Sequence, residues 1–278
     1  MDPASATLNK KRRISPPSMA EPAREIPVFT YAPGKTAYHI STRLKNEPGA
    51  LTSVLGRMAD EKINLVSIAA SVRPEDEEAA VSIFAFPSGK ALAPAQVKRL
   101  VDSSPSVLWS RVDAAKGGMI IEDAFPVTMG TGDRVMILRT ELFASMLKAV
   151  RDTYGTGGDV IVFGQGLASG RSDAEALARA VGRDEAVAHM AELASLYTAL
   201  GWGRVTLEAL EISPLRARFR LGQNMECVGQ SSKRPCSQFM RGHLTGVAEV
   251  LLGVKAECTE VECVAKGDAC CVFEVVAE

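Results

Sequence analysis

Apolar positions along the first part of the chain recur with a period of two, then of about 3.6, then of two again. TAYHISTRL alternates as a strand does, and NEPGALTSVLGRMADEKIN then has Leu51, Val54, Leu55 and Met58 at helical spacing. Two strands, a second helix and a fourth strand follow, in LVSIAASVRP, EAAVSIFAFP, APAQVKRLVDSS and VLWSRVD. This β-α-β-β-α-β order predicts a ferredoxin-like domain over residues 35–116.

Residues 1–34 have neither period. They are rich in proline, serine and alanine, and this composition predicts a disordered tail. The run KKRR at residues 10–13 is basic, so it suits a nucleic acid or an acidic protein partner. A solvated tail without a partner is the simpler interpretation.

The pattern after AAKGGM, at residues 114–119, predicts a second domain over residues 117–278. RTELFASMLKAVRDTYG, DEAVAHMAELASLYTALGWG and CSQFMRGHLTGVAEVLLG have helical periods. RVTLEALEI and LRARFRLGQ alternate as paired strands, and VKAECTEVEC with CCVFEVV predicts a closing hairpin. DVIVFGQGLASGRSDAEALARAVG fits either a buried strand or a tightly packed helix, because its glycines permit close backbone approach.

The turn NEPGAL, together with the order of elements, resembles an ACT domain, a small regulatory module. Asn46 is the expected N-cap of the first helix. The resemblance implies a homodimer, formed as sheets pair side by side, and an amino-acid-type ligand at the interface. Helix amides would hold the ligand's carboxylate, so the predicted site is Asn46, Gly49, Ala50 and Leu51. A domain that only dimerises is the alternative.

Four of the six cysteines lie in the stretch ECTEVECVAKGDACCVFEV, together with the acidic residues Glu257, Glu260 and Glu262. A disulfide, a reactive thiol and a metal site are the competing interpretations. Six cysteines in 278 residues are too sparse for a disulfide scaffold. A hairpin turning at AKGD would bring Cys263 and Cys271 together, and Cys236 and Glu260 would complete a donor set that suits zinc. The spacing favours a metal over a reactive thiol but does not decide between them.

The C-terminal stretch closely resembles the 4-vinyl-reductase-type domain. That family has a Cys, a Gly-x-x-x-Gly helix and then Glu-x-x-Cys-x-x-x-Gly-Asp-x-x-Cys-x-Phe. Here the pattern falls on Cys236, Gly242, Gly246, Glu260, Cys263, Gly267, Asp268, Cys271 and Phe273. The resemblance extends over about residues 120–278 and implies a mixed α/β fold. It also implies a zinc ion held by Cys236, Glu260, Cys263 and Cys271, as in relatives that sense phenols within transcription activators.

The other cysteines are expected outside the metal site. Cys227 and Cys258 suit small core positions, and Cys270 faces away from Cys271 because strand neighbours alternate. The resemblance further implies a mostly apolar pocket beside the metal, for a small hydrophobic molecule. Its candidate lining residues are Phe163, Tyr197, Trp202, Phe239, Met240 and His243, with ordinary core packing as the alternative for each.

Composition narrows the function. A net charge of −1 argues against a generic nucleic-acid binder, and 46% hydrophobic residues are enough for two cores. The chain has no apolar run that spans a bilayer and starts without a secretory signal, so a cytoplasmic protein is expected. The two resemblances imply a ligand-binding regulator, and we predict this in preference to an enzyme because the sequence has no cofactor-binding fingerprint and the implied zinc has four protein ligands. The alternatives are an enzyme that reduces vinyl groups of tetrapyrroles and a non-catalytic assembly module, since the fold resembles subunits of a vesicle-tethering complex.

Overall fold

The computed structural model describes residues 25–73, 75–130 and 132–278. The chain divides into two compact units between Val127 and Thr128, later than the boundary predicted at residue 116. The difference arises because strand β6 (Met119–Ile121) pairs with strand β1 (Phe29–Tyr31) inside the first unit. The predicted tail, residues 1–34, therefore extends too far. Residues 1–24, which contain the basic run, lie outside the described part of the chain.

The first unit has a four-stranded antiparallel sheet and two helices. The strands are β2 (Tyr38–Lys45), β3 (Ile63–Ser71), β4 (Glu78–Pro87) and β5 (Val107–Ala114), and the helices are α1 (Ala50–Asp60) and α2 (Pro94–Asp102). The sheet order is β3-β4-β2-β5, so β2 pairs with β4 on one side and β5 on the other. The chain thus has the β-α-β-β-α-β order expected from its hydrophobic pattern, and the ACT assignment stays a prediction.

Both faces of this sheet are covered at its centre. Val54 of α1 and Val97 of α2 pack on one face against Ile83 of β4, while Phe84 packs on the other face with Ile120. Double coverage explains why β2 is buried at five successive positions instead of alternating. Strand β3 is at an edge of the sheet, and the pairing of two chains through such an edge stays a prediction.

The second unit is a mixed α/β structure. Its helices are α3 (Thr140–Tyr154), α4 (Thr156–Val181), α5 (Arg183–Ala188), α6 (Leu193–Ala199) and α7 (Gln238–Leu252). Its strands are β7 (Arg204–Ile212), β8 (Leu215–Gly222), β9 (Ala256–Glu262) and β10 (Cys271–Ala277), in the antiparallel order β7-β8-β10-β9. Short 3-10 turns are formed by Met190–Glu192, Met225–Cys227 and Val264–Lys266.

Helices α4 and α7 cross at very short range because glycines line the contact. A Cβ atom at Gly166 would lie 2.1 Å from the carbonyl oxygen of Phe239, and one at Gly170 would lie 2.1 Å from that of His243. A Cβ at Gly242 of α7 would approach a carbonyl oxygen of α4 equally closely, at 2.1 Å. The ambiguous glycine-rich stretch is therefore a helix whose glycines serve packing. Within the described residues, no helix is long and apolar enough to cross a membrane.

Candidate functional site

The β9–β10 hairpin brings together residues that are distant along the chain. Strand β9 alternates, so Glu260 faces inward, and Cys263 follows at the end of the strand. The turn back is made possible by Gly267, whose φ of 109° belongs to the left-handed region. Asp268 closes this turn by accepting a hydrogen bond from the amide of Cys263 at 2.8 Å. Cys271 then opens β10 on the inward side.

Four buried side chains converge at this hairpin. One donor atom from each of Cys227, Glu260, Cys263 and Cys271 lies within 4.8 Å of every other. The Sγ atom of Cys227 is 3.8 Å from that of Cys263 and 3.7 Å from that of Cys271. Sequence reasoning placed Cys227 in the core, but the 3-10 turn Met225–Cys227 carries it into the cluster.

Cys236, expected as a ligand, lies at the edge of the cluster. Its Sγ atom is 3.9 Å from that of Cys263, and its side chain is half-buried while the four other donors are buried. Four donors therefore lie close to one another, as many as a tetrahedral zinc ion takes, and Cys236 is a fifth potential donor next to them.

Hydrogen-bond donors surround the cluster and fix its members. The side-chain amide of Asn224 donates to Cys227 at 3.5 Å and to Cys271 at 3.3 Å. The backbone amide of Val264 also donates to Cys271, at 3.4 Å. Ser237 holds the Glu260 carboxylate with its backbone amide and its hydroxyl, both at 2.7 Å. Hydrogen-bond donors that contact metal ligands in this way orient them and stabilise their negative charge.

The pKa values of the three buried thiols in the cluster are raised. Hydrogen bonding with Cys236 and burial raise the pKa of Cys227, and hydrogen bonding with Cys227 and burial raise the pKa of Cys271. Burial also raises the pKa of Cys263. A bound cation would favour the thiolates, so metal binding would release protons.

The donor set fits zinc in chemistry and in size. Ligand sulfurs about 2.3 Å from a tetrahedral zinc ion lie ~3.8 Å from one another. The sulfur separations of 3.7, 3.8 and 3.9 Å in the cluster match that spacing. Thiolates with one carboxylate are typical ligands of structural zinc. The cluster can therefore bind a metal, and zinc is the ion that its chemistry favours.

A buried ion pair lies next to the cluster, at the start of α7. The carboxylate of Glu226 accepts hydrogen bonds from the amides of Phe239 and Met240, both at 3.1 Å, and pairs with the guanidinium of Arg151. Arg151 also donates to the carbonyl of Cys236 at 2.9 Å. Burial raises the pKa of Glu226 to about 7, against the lowering effect of Arg151 and the two amides.

The two remaining cysteines lie outside the cluster. Cys258 is on the same buried face of β9 as Glu260 but two residues further from the turn. It is part of the core of the second unit, and its carbonyl accepts a hydrogen bond from Arg241 at 2.8 Å. Cys270 contacts the guanidinium of Arg220 at 3.0 Å, because neighbours along an extended segment point to opposite sides and Cys271 faces the cluster.

The residues predicted for an ACT ligand have structural contacts of their own. The N-cap of α1 is Gly49, with a φ of 88°, and not Asn46 as predicted. Asn46 is displaced from that role because its side-chain amide donates to the carbonyl of Asp76 at 2.8 Å. Ala50 is buried and its amide donates to Glu47, while Leu51 packs against the core. Binding of a ligand at this turn stays a prediction.

Most of the predicted pocket residues pack against each other. Tyr197 and Trp202 stack with ring centroids 5.0 Å apart, and Trp202 meets His243 edge-on at 4.7 Å. Nε2 of His243 is 3.0 Å from the hydroxyl of Tyr197. Phe239 joins this aromatic cluster, Met240 is buried beside it, and the ring of Phe163 lies under the guanidinium of Arg241.

A cavity of about 400 Å3 lies along the other end of α7. Val247 and Leu251 of α7 form part of its wall, and Tyr197 is the one predicted pocket residue in that wall. Leu177, Leu193, Leu196 and Leu200 add apolar surface from α4 and α6, while Asp133, Arg134, Asp173 and Arg179 add charge. Burial raises the pKa of Asp173.

Comparisons with known proteins bear on this unit. Residues 218–277 match the family of the vinyl-4-reductase domain, so the matched region contains Cys227, Cys236 and the β9–β10 hairpin. No protein among those of curated function matches the chain.

Solved structures resemble parts of the chain. The phenol-responsive sensory domain of the transcription activator PoxR with phenol is 24% identical over 54% of this chain and 83% of its own, with a TM-score of 0.47. A vinyl-4-reductase family protein from Methanocaldococcus jannaschii is 20% identical. The match covers 52% of this chain and 99% of that one, with a TM-score of 0.31. A trafficking protein particle complex subunit 3 from Naegleria fowleri, covalently bound to palmitic acid, is 16% identical. The match covers 50% of this chain and 95% of that one, with a TM-score of 0.40.

Sequence reasoning missed several residues of the site. Asn224, Glu226 and Ser237 hold the ligands or the start of α7, and Arg151 pairs with Glu226 from α3. The only signal in the sequence was the short spacing between Asn224 and Cys227. Nothing in the sequence indicated that Arg151 would be the partner.

Proposed function

We propose that the second unit binds a small, mostly apolar molecule and acts as a ligand-sensing regulatory module stabilised by a structural zinc ion. The observation that carries this proposal is the cavity of about 400 Å3 between α4, α6 and α7, in the unit that contains the vinyl-4-reductase domain match. Its size falls within the usual range of small-molecule sites, about 300–1,000 Å3. Its leucine-rich wall favours an apolar ligand.

The polar groups at the cavity would orient the ligand. Tyr197 presents a buried ring whose hydroxyl is held by His243, and burial raises the pKa of that hydroxyl. Asp133, Arg134, Asp173 and Arg179 are the charged residues of the cavity wall. An apolar body with one hydroxyl or amine would match this arrangement. Phenol, to which the PoxR sensory domain responds, belongs to that class.

The zinc ion has a structural role in this proposal. Cysteine and glutamate side chains would fill its coordination positions, so the ion would tie the β9–β10 hairpin to the start of α7. The signal from the ligand would pass through this domain to the first unit or to a partner. The sequence suggests that the ACT-like unit forms a homodimer, and this homodimer would pass the signal on.

Thermal unfolding of the full chain tests ligand binding. Phenol, farnesol and a monopyrrole are added separately, and a binder at 100 times its Kd adds about 2.7 kcal/mol to the free energy of unfolding. Mass spectrometry then checks that the compound is recovered unchanged. A compound recovered chemically altered would favour the enzyme interpretation.

A matched pair of variants links the binding to the cavity. Ala176 lines the cavity, whereas Ala180, one turn further along α4, is exposed and outside its wall. Ala176→Phe is expected to abolish the thermal shift and Ala180→Phe to preserve it. Equal shifts in both variants would show that the ligand binds elsewhere.

A further inference from the structure

We propose that Cys227 is a ligand of the metal, in the place that the family pattern gives to Cys236. The proposal rests on the zinc part of the proposed function and is independent of ligand binding in the cavity. Its basis is the position of Cys227 between the two hairpin thiols, 3.8 Å from Cys263 and 3.7 Å from Cys271. Both separations equal the ~3.8 Å expected between sulfurs on one tetrahedral zinc ion.

The surroundings of Cys227 suit a thiolate. Asn224 donates one side-chain amide toward Cys227 and Cys271 together, at 3.5 and 3.3 Å, so the same group supports both sulfurs. Asn224 also donates to the hydroxyl oxygen of Ser237 at 2.9 Å, and that hydroxyl donates its proton to the Glu260 carboxylate at 2.7 Å, so Asn224 is connected to three of the four ligands. Donors shared between ligands are a common feature of metal sites.

Cys236 lacks these features. It is half-buried, whereas Cys227 is 6% exposed, and its sulfur lies 3.9 Å from Cys263 but outside the group of donors that are all within 4.8 Å of one another. Cys227, Cys263, Cys271 and Glu260 by themselves make a complete tetrahedral set of three sulfurs and one oxygen. Cys236 is then the fifth donor, next to the ion but not required by it.

The position of Cys227 follows from the fold of its own segment. The turn Met225–Cys227 is capped by Asn224, whose side-chain oxygen accepts the amide of Glu226 at 3.0 Å. Glu226 in turn is fixed by Arg151 and by the first amides of α7. Asn224 and Glu226 are therefore held in fixed contacts, and the thiol of Cys227 is directed at the hairpin.

X-ray absorption spectroscopy at the zinc edge tests the assignment, because it counts the sulfur ligands without depending on activity. The zinc-loaded full chain is compared with Cys236→Ser. We expect three sulfurs and one lighter atom in the wild type and the same three sulfurs in Cys236→Ser. Four sulfurs in the wild type, falling to three in the variant, would also support Cys227 as a ligand.

Two results would overturn the proposal. A sulfur count that falls from three to two in Cys236→Ser would assign the third thiolate to Cys236. If the wild-type chain takes up no zinc, both the assignment of Cys227 and the proposed zinc site are wrong. Ligand binding in the cavity is tested separately. As a second measurement, cobalt is titrated into Cys227→Ser, where loss of about a third of the thiolate-to-metal charge-transfer absorption is expected for one of three sulfurs. Undiminished absorption contradicts the assignment.

Discussion

The two ends of helix α7 differ in their chemistry. At its first turn the helix receives a buried carboxylate from Glu226, next to the thiol cluster. About two turns further on, a distance of ~12 Å along the axis, Val247 begins the wall of an apolar cavity. The two ends of the helix therefore have different surroundings. The polar end is held by a buried ion pair next to a thiol cluster that can bind a metal, and the apolar end borders a cavity.

The middle of α7 joins these two ends rigidly. Gly242 and Gly246 face backbone atoms of α4, and α4 presents Gly166 and Gly170 in return. Two helices at this distance cannot separate or slide without losing the whole contact. The contact therefore fixes the distance between the two ends, and variants that damage one end only test whether the thiol cluster and the cavity are independent.

The largest effect is expected from removing a metal ligand at the polar end. Cys263→Ser should cost several kcal/mol in the second unit, because the binding free energy of structural zinc, about 10–16 kcal/mol in zinc-finger peptides, is part of the folding free energy. Urea unfolding is followed by Trp202 fluorescence in a Trp109→Phe background, so the signal comes from the second unit alone.

Cys258→Ser is the control for that measurement, since Cys258 is buried on β9 but outside the cluster. It should cost much less and should keep the zinc. Equal losses in the two variants, with unchanged zinc content, would show that the cluster is an ordinary part of the core.

The next largest effect concerns the buried ion pair. Arg151→Met leaves the Glu226 carboxylate buried without its charged partner, which typically costs about 3–5 kcal/mol. Arg171→Met breaks a half-exposed pair with Glu249 instead, and such pairs contribute about 0–1 kcal/mol. Urea midpoints of the two variants give the comparison, and similar midpoints would mean that the start of α7 does not depend on Arg151.

The glycine contact in the middle of α7 gives a smaller but sharper test. Gly170→Ala should destabilise by about 1–3 kcal/mol or more, because its Cβ would lie 2.1 Å from a backbone oxygen. Gly164 lies in the same helix, and a Cβ atom there would meet none of the described residues within 4 Å, apart from the backbone of its own helix and the residues on either side. Gly164→Ala should therefore raise the free energy of unfolding by about 0.5–1 kcal/mol. Calorimetric unfolding measures both, and a tolerated Gly170→Ala would refute the close crossing.

The smallest effect is a pH dependence near the cavity end. Burial lowers the pKa of His243 to about 3, below the usual value near 6.5. The unfolded chain therefore binds more protons between these values, so the stability is full above pH 6.5 and is lost as the pH falls. His243 should account for about 1.4 kcal/mol lost by pH 5.5.

His243→Gln keeps a hydrogen-bonding group for Tyr197 but does not titrate. Its free energy of unfolding should therefore fall less between pH 7.5 and 5.5 than that of the wild type, by about 1.4 kcal/mol. Parallel pH profiles for the two proteins would show that His243 is protonated or exposed in the folded state.

The features that could be predicted from the sequence were those set by local chemistry. Gly267 and Asp268 form the expected turn because one supplies a left-handed φ and the other accepts a nearby amide. Strand and helix periods likewise gave the order of the four-stranded sheet and the two helices of the first unit, whereas the single helix predicted from DEAVAHMAELASLYTALGWG is divided into α5, a 3-10 turn and α6. Cys227 could not be placed, because its approach to Cys271 depends on the sheet, the turn after β8 and the start of α7 together.

The residues predicted to line a pocket show a related limit of the sequence pattern. Large aromatic residues are compatible with either a cavity wall or a packed cluster, and only the tertiary arrangement distinguishes them. Trp202 and Phe239 fill space by contacting each other and His243. The cavity is instead lined by leucines of α4 and α6, which the hydrophobic pattern marks as ordinary core.

Native mass spectrometry of the full chain tests most directly whether the polar end of α7 is a metal centre separate from the cavity. We expect one zinc ion per chain in the wild type, its complete retention in Ala176→Phe at the cavity, and its loss in Cys263→Ser. A wild-type chain that is folded, has the mass of the polypeptide alone and gains no mass on addition of zinc would contradict the account.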